Sequence, residues 1–355
     1  MNVSNDGMSH ASGMAQPTWR DSYDETILMK NSYPRILAIV RAGRNAIHKS
    51  WTYRAKTLID IAVLPYEETG YGFDDTDIVY IPEGRCGKFQ GIKKFFVDNP
   101  DILEKYDYFW CLDDDIYIPY TSLVSLKCLL ASYAFHLAAP SLETYSYCNW
   151  QITVRNKRFL FRGTDFVEVM VPLMSREFLL LVLPHFDENF SSWGYEFLWR
   201  KFLREKNWYA AMLDAAPVVH TRPPRMGSTY SNLPPGTMTA GDEARALVQK
   251  FGLEDTPFFN FFGVTAGEPS LVYGAPFVEL MAQGYNDTDQ FNSDDLHRWL
   301  MSGLERNMPK VDLDFLTTLD GFHRVLENLR RIKVNGSRMR IADISSTNAS
   351  AAQPT

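Results

Sequence analysis

Cysteine is scarce in this chain. Only Cys86, Cys111, Cys128 and Cys148 occur in 355 residues, with no Cys-X-X-Cys and no Cys/His pair at zinc-ligand spacing. So thin a set excludes a disulfide scaffold and a zinc module, and the simplest expectation is reduced thiols in a cytoplasmic protein. Long apolar runs are missing as well. None approaches the ~20 residues of a membrane helix, and stretches such as Phe178 to Leu183 have the length of core segments. The opening residues are polar and lack the apolar stretch of a secretory signal. Basic charge is not in surplus: 36 Lys and Arg face 43 Asp and Glu, a formal charge of −7. That balance argues against a sequence-independent nucleic-acid binder, which needs cations to displace phosphate counterions. Walker and GxGxxG fingerprints are both absent, so P-loop and Rossmann dinucleotide sites have no support.

What is present is enough apolar material, 45% of residues, to fill a large core. Residues 1–30 read as a disordered arm and 339–355 as a disordered tail, both too poor in apolar residues to fold alone. Between them, residues 31–240 alternate short β-branched runs with helical stretches. Arg35 to Val40, Ile59 to Leu64, Asp77 to Ile81 and Tyr108 to Leu112 read as strands, as do short stretches near Ala138, Thr153 and Phe166 to Val171. Helical patterns cover the segment from Gly87 to Tyr106, Ser122 to Leu137, Ser175 to Leu183 and Tyr195 to Glu205. This alternation predicts an α/β fold with a mostly parallel sheet between helices. Residues 241–338 are expected to be a helical extension, from Asp242 to Phe251, Pro276 to Met281, Asp294 to Leu304 and Leu313 to Leu329.

The acidic triplet Asp113-Asp114-Asp115 stands at the end of an apolar strand, where ligands of parallel sheets bind. If the backbone stays extended, Asp113 and Asp115 project to one side and Asp114 to the other. Two such carboxylates suit a hard cation, Mn²⁺ or Mg²⁺, that also grips a diphosphate; the plain alternative is a solvated strand exit. His220 ends a second β-branched run and precedes Arg222 and Arg225. It is either a third metal ligand with phosphate-neutralising arginines behind it, or a strand-end histidine beside a basic loop. Glu196 opens a helix after Trp193-Gly194. It is a candidate general base, although stabilisation of the helix dipole by a first-turn acid explains it equally. Asp187 is held in reserve for the same role. Glu168 sits in an otherwise apolar strand and must face a cleft, a cation or an arginine such as Arg162. Lys88 follows Gly87 at a helix start, where it could touch phosphate.

Several of these segments occur in an order that resembles a largely uncharacterised family of plant and bacterial proteins regarded as glycosyltransferases of the GT-A type. The likeness runs from about Arg35 to about Leu253. It rests on Arg41-Ala42-Gly43-Arg44-Asn45 with His48 and Trp51, on YDYFWCLDDDIYIP, and on AAPSLETYSY and ITVRN. It continues through FVEVMVPLMSREFL, SSWGYEFLW and VVHTRP. The resemblance implies a GT-A-like nucleotide-sugar cleft. Asp113 and Asp115 would bind donor ribose and the cation, and His220 would be a late metal ligand. Glu196 would be the base of an inverting transfer to a hydroxyl acceptor, while Arg41, Gly43, Arg44 and Asp114 would line the donor pocket. Glu168 and Trp193 would face acceptor or cleft, and the segment from Arg222 to Pro235 would act as a lid. Two departures stand out: the family often has Asp after Trp-Gly-Leu where this chain has Tyr195-Glu196, and no histidine occurs around Cys148 to Trp150. A sugar-nucleotide hydrolase, a nucleotidyltransferase and a non-catalytic carbohydrate-binding protein remain open readings of the same residues.

Overall fold

The computed structural model describes residues 34–67, 75–223, 238–253 and 258–286. Both terminal arms, the helices expected at 294–304 and 313–329, Arg225 and most of the expected lid lie outside the described residues.

The described chain forms one sheet with helices packed on it. Its strands are β1 (Ile36–Ala42), β2 (Asp60–Pro65), β3 (Ile78–Val79), β4 (Tyr108–Leu112), β5 (Ile116–Tyr117) and β6 (Leu137–Leu142). They continue with β7 (Phe159–Thr164), β8 (Leu173–Ser175), β9 (Ala210–His220), β10 (Asn260–Thr265) and β11 (Leu271–Tyr273). The helices are α1 (Lys49–Ala55), α2 (Lys88–Asp98), α3 (Asp101–Lys105), α4 (Tyr120–Ser132), α5 (Arg176–Val182), α6 (Tyr195–Glu205), α7 (Ala240–Phe251) and α8 (Gly274–Asn286). Strand order across the sheet is β11-β10-β7-β9-β6-β8-β4-β1-β2-β3, with β5 added against β9. Following the ladders, β8, β7 and β11 run against the other seven strands of that path, so the sheet is mixed but mostly parallel, as expected.

Every residue of β1 and β4 is buried, because helices cover the sheet on both faces. The register brings Val40 of β1 level with Val63 of β2 and Leu112 of β4. Gly43, Tyr66 and Asp113 therefore emerge at one edge. The last residue of β9, His220, reaches the same edge by pairing with Ile116 of β5, one residue past the acidic triplet.

Three expectations fail. The stretch at Thr153 is a turn of 3₁₀ helix over Gln151–Thr153, not a strand. Phe166 to Val171 is irregular chain, not a strand. Its neighbours take its carbonyls one at a time: Lys88 Nζ donates to Val169 O and Met170 O, and Asp113 N donates to Met170 O at 3.0 Å. Pro172, which has no N–H, follows at once. Beyond residue 240 the chain is not all helical. β10 and β11 extend the sheet through β7, an apolar segment whose length reads as helix or strand alike.

Arg162 does not partner Glu168. It is wholly buried and grips Asp214 of β9 through Nε at 2.7 Å and Nη2 at 3.0 Å. Its other protons go to Ile152 O, Val154 O and the Tyr285 hydroxyl. Asp214 also accepts Asn156 N at 2.8 Å, and Asn156 Nδ2 donates to Met281 O, so α8 is fastened to the base of the 143–156 loop. Burial disfavours both charges, and burial pushes the Asp214 carboxyl upward, but each ion is satisfied by the other and by further bonds. Asp214→Asn is expected to lose about 3–5 kcal/mol of stability in urea melts, whereas Arg162→Met/Asp214→Leu loses less than either single change.

Candidate functional site

β4 delivers three carboxylates in a row, and each goes to a different partner. Asp113 Oδ1 lies 2.7 Å from Lys88 Nζ. Asp114 turns inward: its Oδ2 accepts Gly43 N at 2.7 Å and the Tyr66 hydroxyl at 2.9 Å, and its Oδ1 accepts Arg222 Nη1 at 3.2 Å. Asp115 Oδ2 stands 3.4 Å from His220 Nε2. Burial raises the Asp113 and Asp114 carboxyls above their ordinary values, against the pull of Lys88 on the first and the Gly43 amide on the second.

These contacts reassign several residues expected to touch a ligand. Lys88 holds Asp113 and two carbonyls, so its three protons are engaged within the protein. Arg41 is buried and donates to Leu64 O, Pro65 O and Cys86 O, tying β1 to β2 and to the loop before α2. Asp114 is saturated by protein donors and shapes the turn after β1. Gly43 is required there because a Cβ would meet the Tyr66 hydroxyl at 2.2 Å. Arg44 is exposed and does not line the cavity; its backbone N–H donates to Glu67 Oε2 at 3.2 Å. Asp187 lies exposed outside the cavity in an ion pair with Lys93 at 2.7 Å, and against slight desolvation the Lys93 bond holds its carboxyl low. Arg222 remains at the cavity wall, its second nitrogen on Asn45 O.

Capacity is left at Asp115 and His220, and also at Asp113, whose side chain is 42% exposed and pairs with Lys88 through Oδ1. The Asp115 Oδ1 atom is buried without a hydrogen-bond partner. His220 Nδ1 contacts Tyr147 O at 2.8 Å. A carbonyl accepts only, so Nδ1 carries a proton and Nε2, when the ring is neutral, offers its lone pair toward Asp115. Burial works against a charged His220, yet Asp115 outweighs it and the imidazole titrates above its ordinary value. Among the described residues no three His, Cys, Asp or Glu side chains gather closely enough to hold a metal by themselves. Any cation here would need a ligand's own oxygens beside Asp115 and His220. Asp113 could add Oδ2 while Oδ1 stays on Lys88.

Two carboxylates stand on the far side. Glu168 lines the cavity. Its Oε1 accepts Asn149 Nδ2 at 3.3 Å, while its Oε2 is buried without a partner. Glu196 is not among the lining residues; its Oε2 accepts Gly194 N at 2.9 Å, capping the start of α6. Gly194 sits at φ 96° and Ser192 at φ 71°, so the Ser192-Trp193-Gly194 turn holds a left-handed backbone just where it borders the cavity. Burial pushes both glutamates up to about 7; repulsion between them adds to this for Glu196, and that from Asp113 for Glu168.

The cavity enclosed by these groups measures about 550 Å³, within the ~300–1,000 Å³ usual for small-molecule sites. Of the residues singled out in the sequence, Arg41, Lys88, Asp113, Asp114, Asp115, Glu168, Trp193, His220 and Arg222 border it. Sequence reasoning missed Tyr66, Arg85, Asn149 and the Tyr147 carbonyl. The first three carry no motif, and the last is a backbone atom whose place depends on the tertiary fold.

No family model matches the chain. No curated protein matches it either, so the plant and bacterial family remains a resemblance. Solved structures with a similar course include GalNAc-T7 with UDP, GalNAc and Mn2+, at 9% identity and a TM-score of 0.43. That match covers 80% of this chain and 58% of the other, so this chain spans less than two thirds of its length. S. aureus TarS matches at 8% identity and a TM-score of 0.31, over 84% of this chain and 80% of that one. Mycobacterium tuberculosis glucosyl-3-phosphoglycerate synthase, in complex with phosphoglyceric acid, matches at 11% and 0.37, over 68% and 87%. Likeness at this level describes the course of the chain, and the chemistry has to be argued from the site.

The raised glutamates make a prediction. Between about pH 7 and about pH 4.5 the folded protein holds protons on Glu168 and Glu196 that the unfolded chain releases. These two groups therefore make stability rise as pH falls through that window and lower it above the window. Glu168→Gln is expected to flatten this slope and to gain on the order of 1–3 kcal/mol near neutral pH, read from urea melts across pH. An unchanged slope would show that Glu168 ionises normally.

Proposed function

We propose that the protein is an enzyme, a cation-dependent glycosyltransferase acting on a nucleoside-diphosphate sugar and a hydroxyl acceptor. One observation carries the reading. The unpartnered Asp115 Oδ1 and, when the ring is neutral, the His220 Nε2 lone pair lie at a cavity that Glu168, a carboxylate with an unpartnered oxygen, also lines. Breaking a sugar–diphosphate bond places negative charge on the leaving phosphate. Mn²⁺ or Mg²⁺ on Asp115 and His220 would neutralise it. Arg222, and Arg85 at the same wall, add positive charge nearby.

The acceptor hydroxyl loses its proton as its oxygen bonds to the anomeric carbon and the diphosphate departs from the opposite face, giving inversion. We assign that proton to Glu168, which lines the cavity, has an unpartnered Oε2 that must be uncovered as the acceptor enters, and has a pKa of about 7 that suits a base near neutrality. Glu196, the base expected from the sequence, has the same raised pKa and the helix-start position in its favour. No described helix is long and apolar enough to cross a membrane.

Thermal-shift titration with UDP, GDP and their sugar esters, with and without Mn²⁺, tests the donor site. One nucleotide is expected to raise Tm by several degrees only when Mn²⁺ is present, and Asp115→Asn to abolish that rise. No metal-dependent shift with any nucleotide would end the reading. On the donor so found, Glu168→Gln is expected to lower kcat by about 10²–10⁴-fold. If Glu196→Gln alone does so, the proton goes to Glu196.

A further inference from the structure

Exposed large aromatic side chains are not spread evenly over this protein. Among the described residues five are conspicuous: Tyr53 on α1, and Tyr117, Tyr145, Tyr147 and Trp150. The last four lie along the two strips that flank the end of β9. Tyr117 pairs with Val219 in the β5–β9 ladder. On the other side Glu143 N donates to Val218 O at 2.8 Å and Tyr147 N to His220 O at 3.1 Å. Tyr145 is 68% exposed and Tyr147 49%. Trp150, at 43%, is steadied by ring contacts with Phe166 at 5.3 Å and Phe258 at 5.7 Å.

This strip runs directly into the cavity. Asn149, between Tyr147 and Trp150, lines the cavity and donates to Glu168. Tyr147 offers its ring to solvent while its carbonyl fixes the His220 imidazole. From Thr144 to Gln151 the chain reads Thr-Tyr-Ser-Tyr-Cys-Asn-Trp-Gln, without one charged residue. Aromatic faces interspersed with hydroxyl and amide groups match a molecule with apolar C–H faces and hydroxyl edges. A phosphorylated acceptor, an acidic peptide or an anionic lipid surface would need cations here, and the loop has none.

We infer that Tyr117, Tyr145, Tyr147 and Trp150 form a docking platform for an uncharged saccharide chain, which feeds its terminal hydroxyl past Asn149 to Glu168. The inference rests on the transfer reading for the fate of the glycan, but the binding itself needs neither donor nor metal.

Affinity electrophoresis of the full chain in native gels cast with soluble polysaccharides tests it. The neutral set is xyloglucan, galactomannan and hydroxyethyl cellulose, and the anionic set is polygalacturonate and heparin. Retardation is expected in at least one neutral gel and to be weakened about fivefold by Tyr145→Ala, Tyr147→Ala or Trp150→Ala. Leu180→Ala, exposed on α5 at the opposite end of the sheet, should migrate as wild type. Tyr145 and Tyr147 are the more exposed rings, and an unchanged melting temperature confirms their variants are folded; Trp150 also packs on Phe166 and Phe258, so its variant is run at a temperature where a melt shows it folded. Absence of retardation in every neutral gel, retardation only by the anionic polymers, or equal retardation of the ring variants would overturn the proposal. So would a dimer in sedimentation that Tyr145→Ala dissociates without any effect in the gels, which would make the strip a contact between two copies. A protein that binds glycan yet shows no nucleotide-dependent thermal shift would keep the platform and lose the transferase reading.

Discussion

Three neighbouring carboxylates at the end of a buried strand repel one another and lose solvation. A fold can keep them only by assigning each a counter-charge. Here Asp113 takes Lys88, Asp114 takes the Gly43 amide, Tyr66 and Arg222, and Asp115 takes His220. The rest of the architecture serves this allocation. Parallel β1, β2 and β4 bring Gly43, Tyr66 and the triplet to one level, and the long β9 runs back to set His220 beside Asp115. Asp114 is enclosed by three protein donors, whereas Asp113 keeps one oxygen toward solvent. Asp115 leaves a bare carboxylate oxygen, and His220 offers a lone pair when its ring gives up the Nε2 proton, which is what gives that corner chemical potential.

The 143–156 loop links stability to the site. Its base is held by Asn156 on Asp214 and by Arg162 on the Ile152 and Val154 carbonyls, with Tyr285 of α8 closing the network. Its outer part presents the Tyr147 carbonyl to His220 and Asn149 to Glu168. A buried ion pair is a costly way to gain stability. Its value here lies in fixing a segment that carries two orienting contacts for the cavity and the exposed rings beside it.

Much of this was legible in the amino-acid order. The apolar runs at Ile36, Ile59 and Tyr108 are strands because they are short, β-branched or aromatic and bounded by turn residues. Asp115, His220 and Glu168 were readable because a carboxylate or imidazole beside a buried run needs a reason to be there. What stayed hidden was pairing. Arg162 lies six residues before Glu168, yet it bonds Asp214, fifty-two positions away in sequence. Lys88 reads as a phosphate ligand at a helix start until the Val169 and Met170 carbonyls come to meet it. Glu168 reads as a strand residue because the alternation Phe-Val-Glu-Val-Met-Val has strand period, whereas tertiary hydrogen bonds pull that segment out of the sheet. Periodicity registers which face is apolar. It does not register which neighbour supplies the backbone partners.

The central claim is that the free capacity of Asp115 and His220 is a cation site completed by a nucleotide's phosphates. Anomalous difference maps at the manganese edge, from crystals soaked with Mn²⁺ alone and with Mn²⁺ plus the nucleoside diphosphate that stabilises the protein, test it most directly. The account predicts a peak between Asp115 and His220 that is strong only when the nucleotide is present. A nucleotide bound with no anomalous density there, or manganese sited away from both residues, would contradict it.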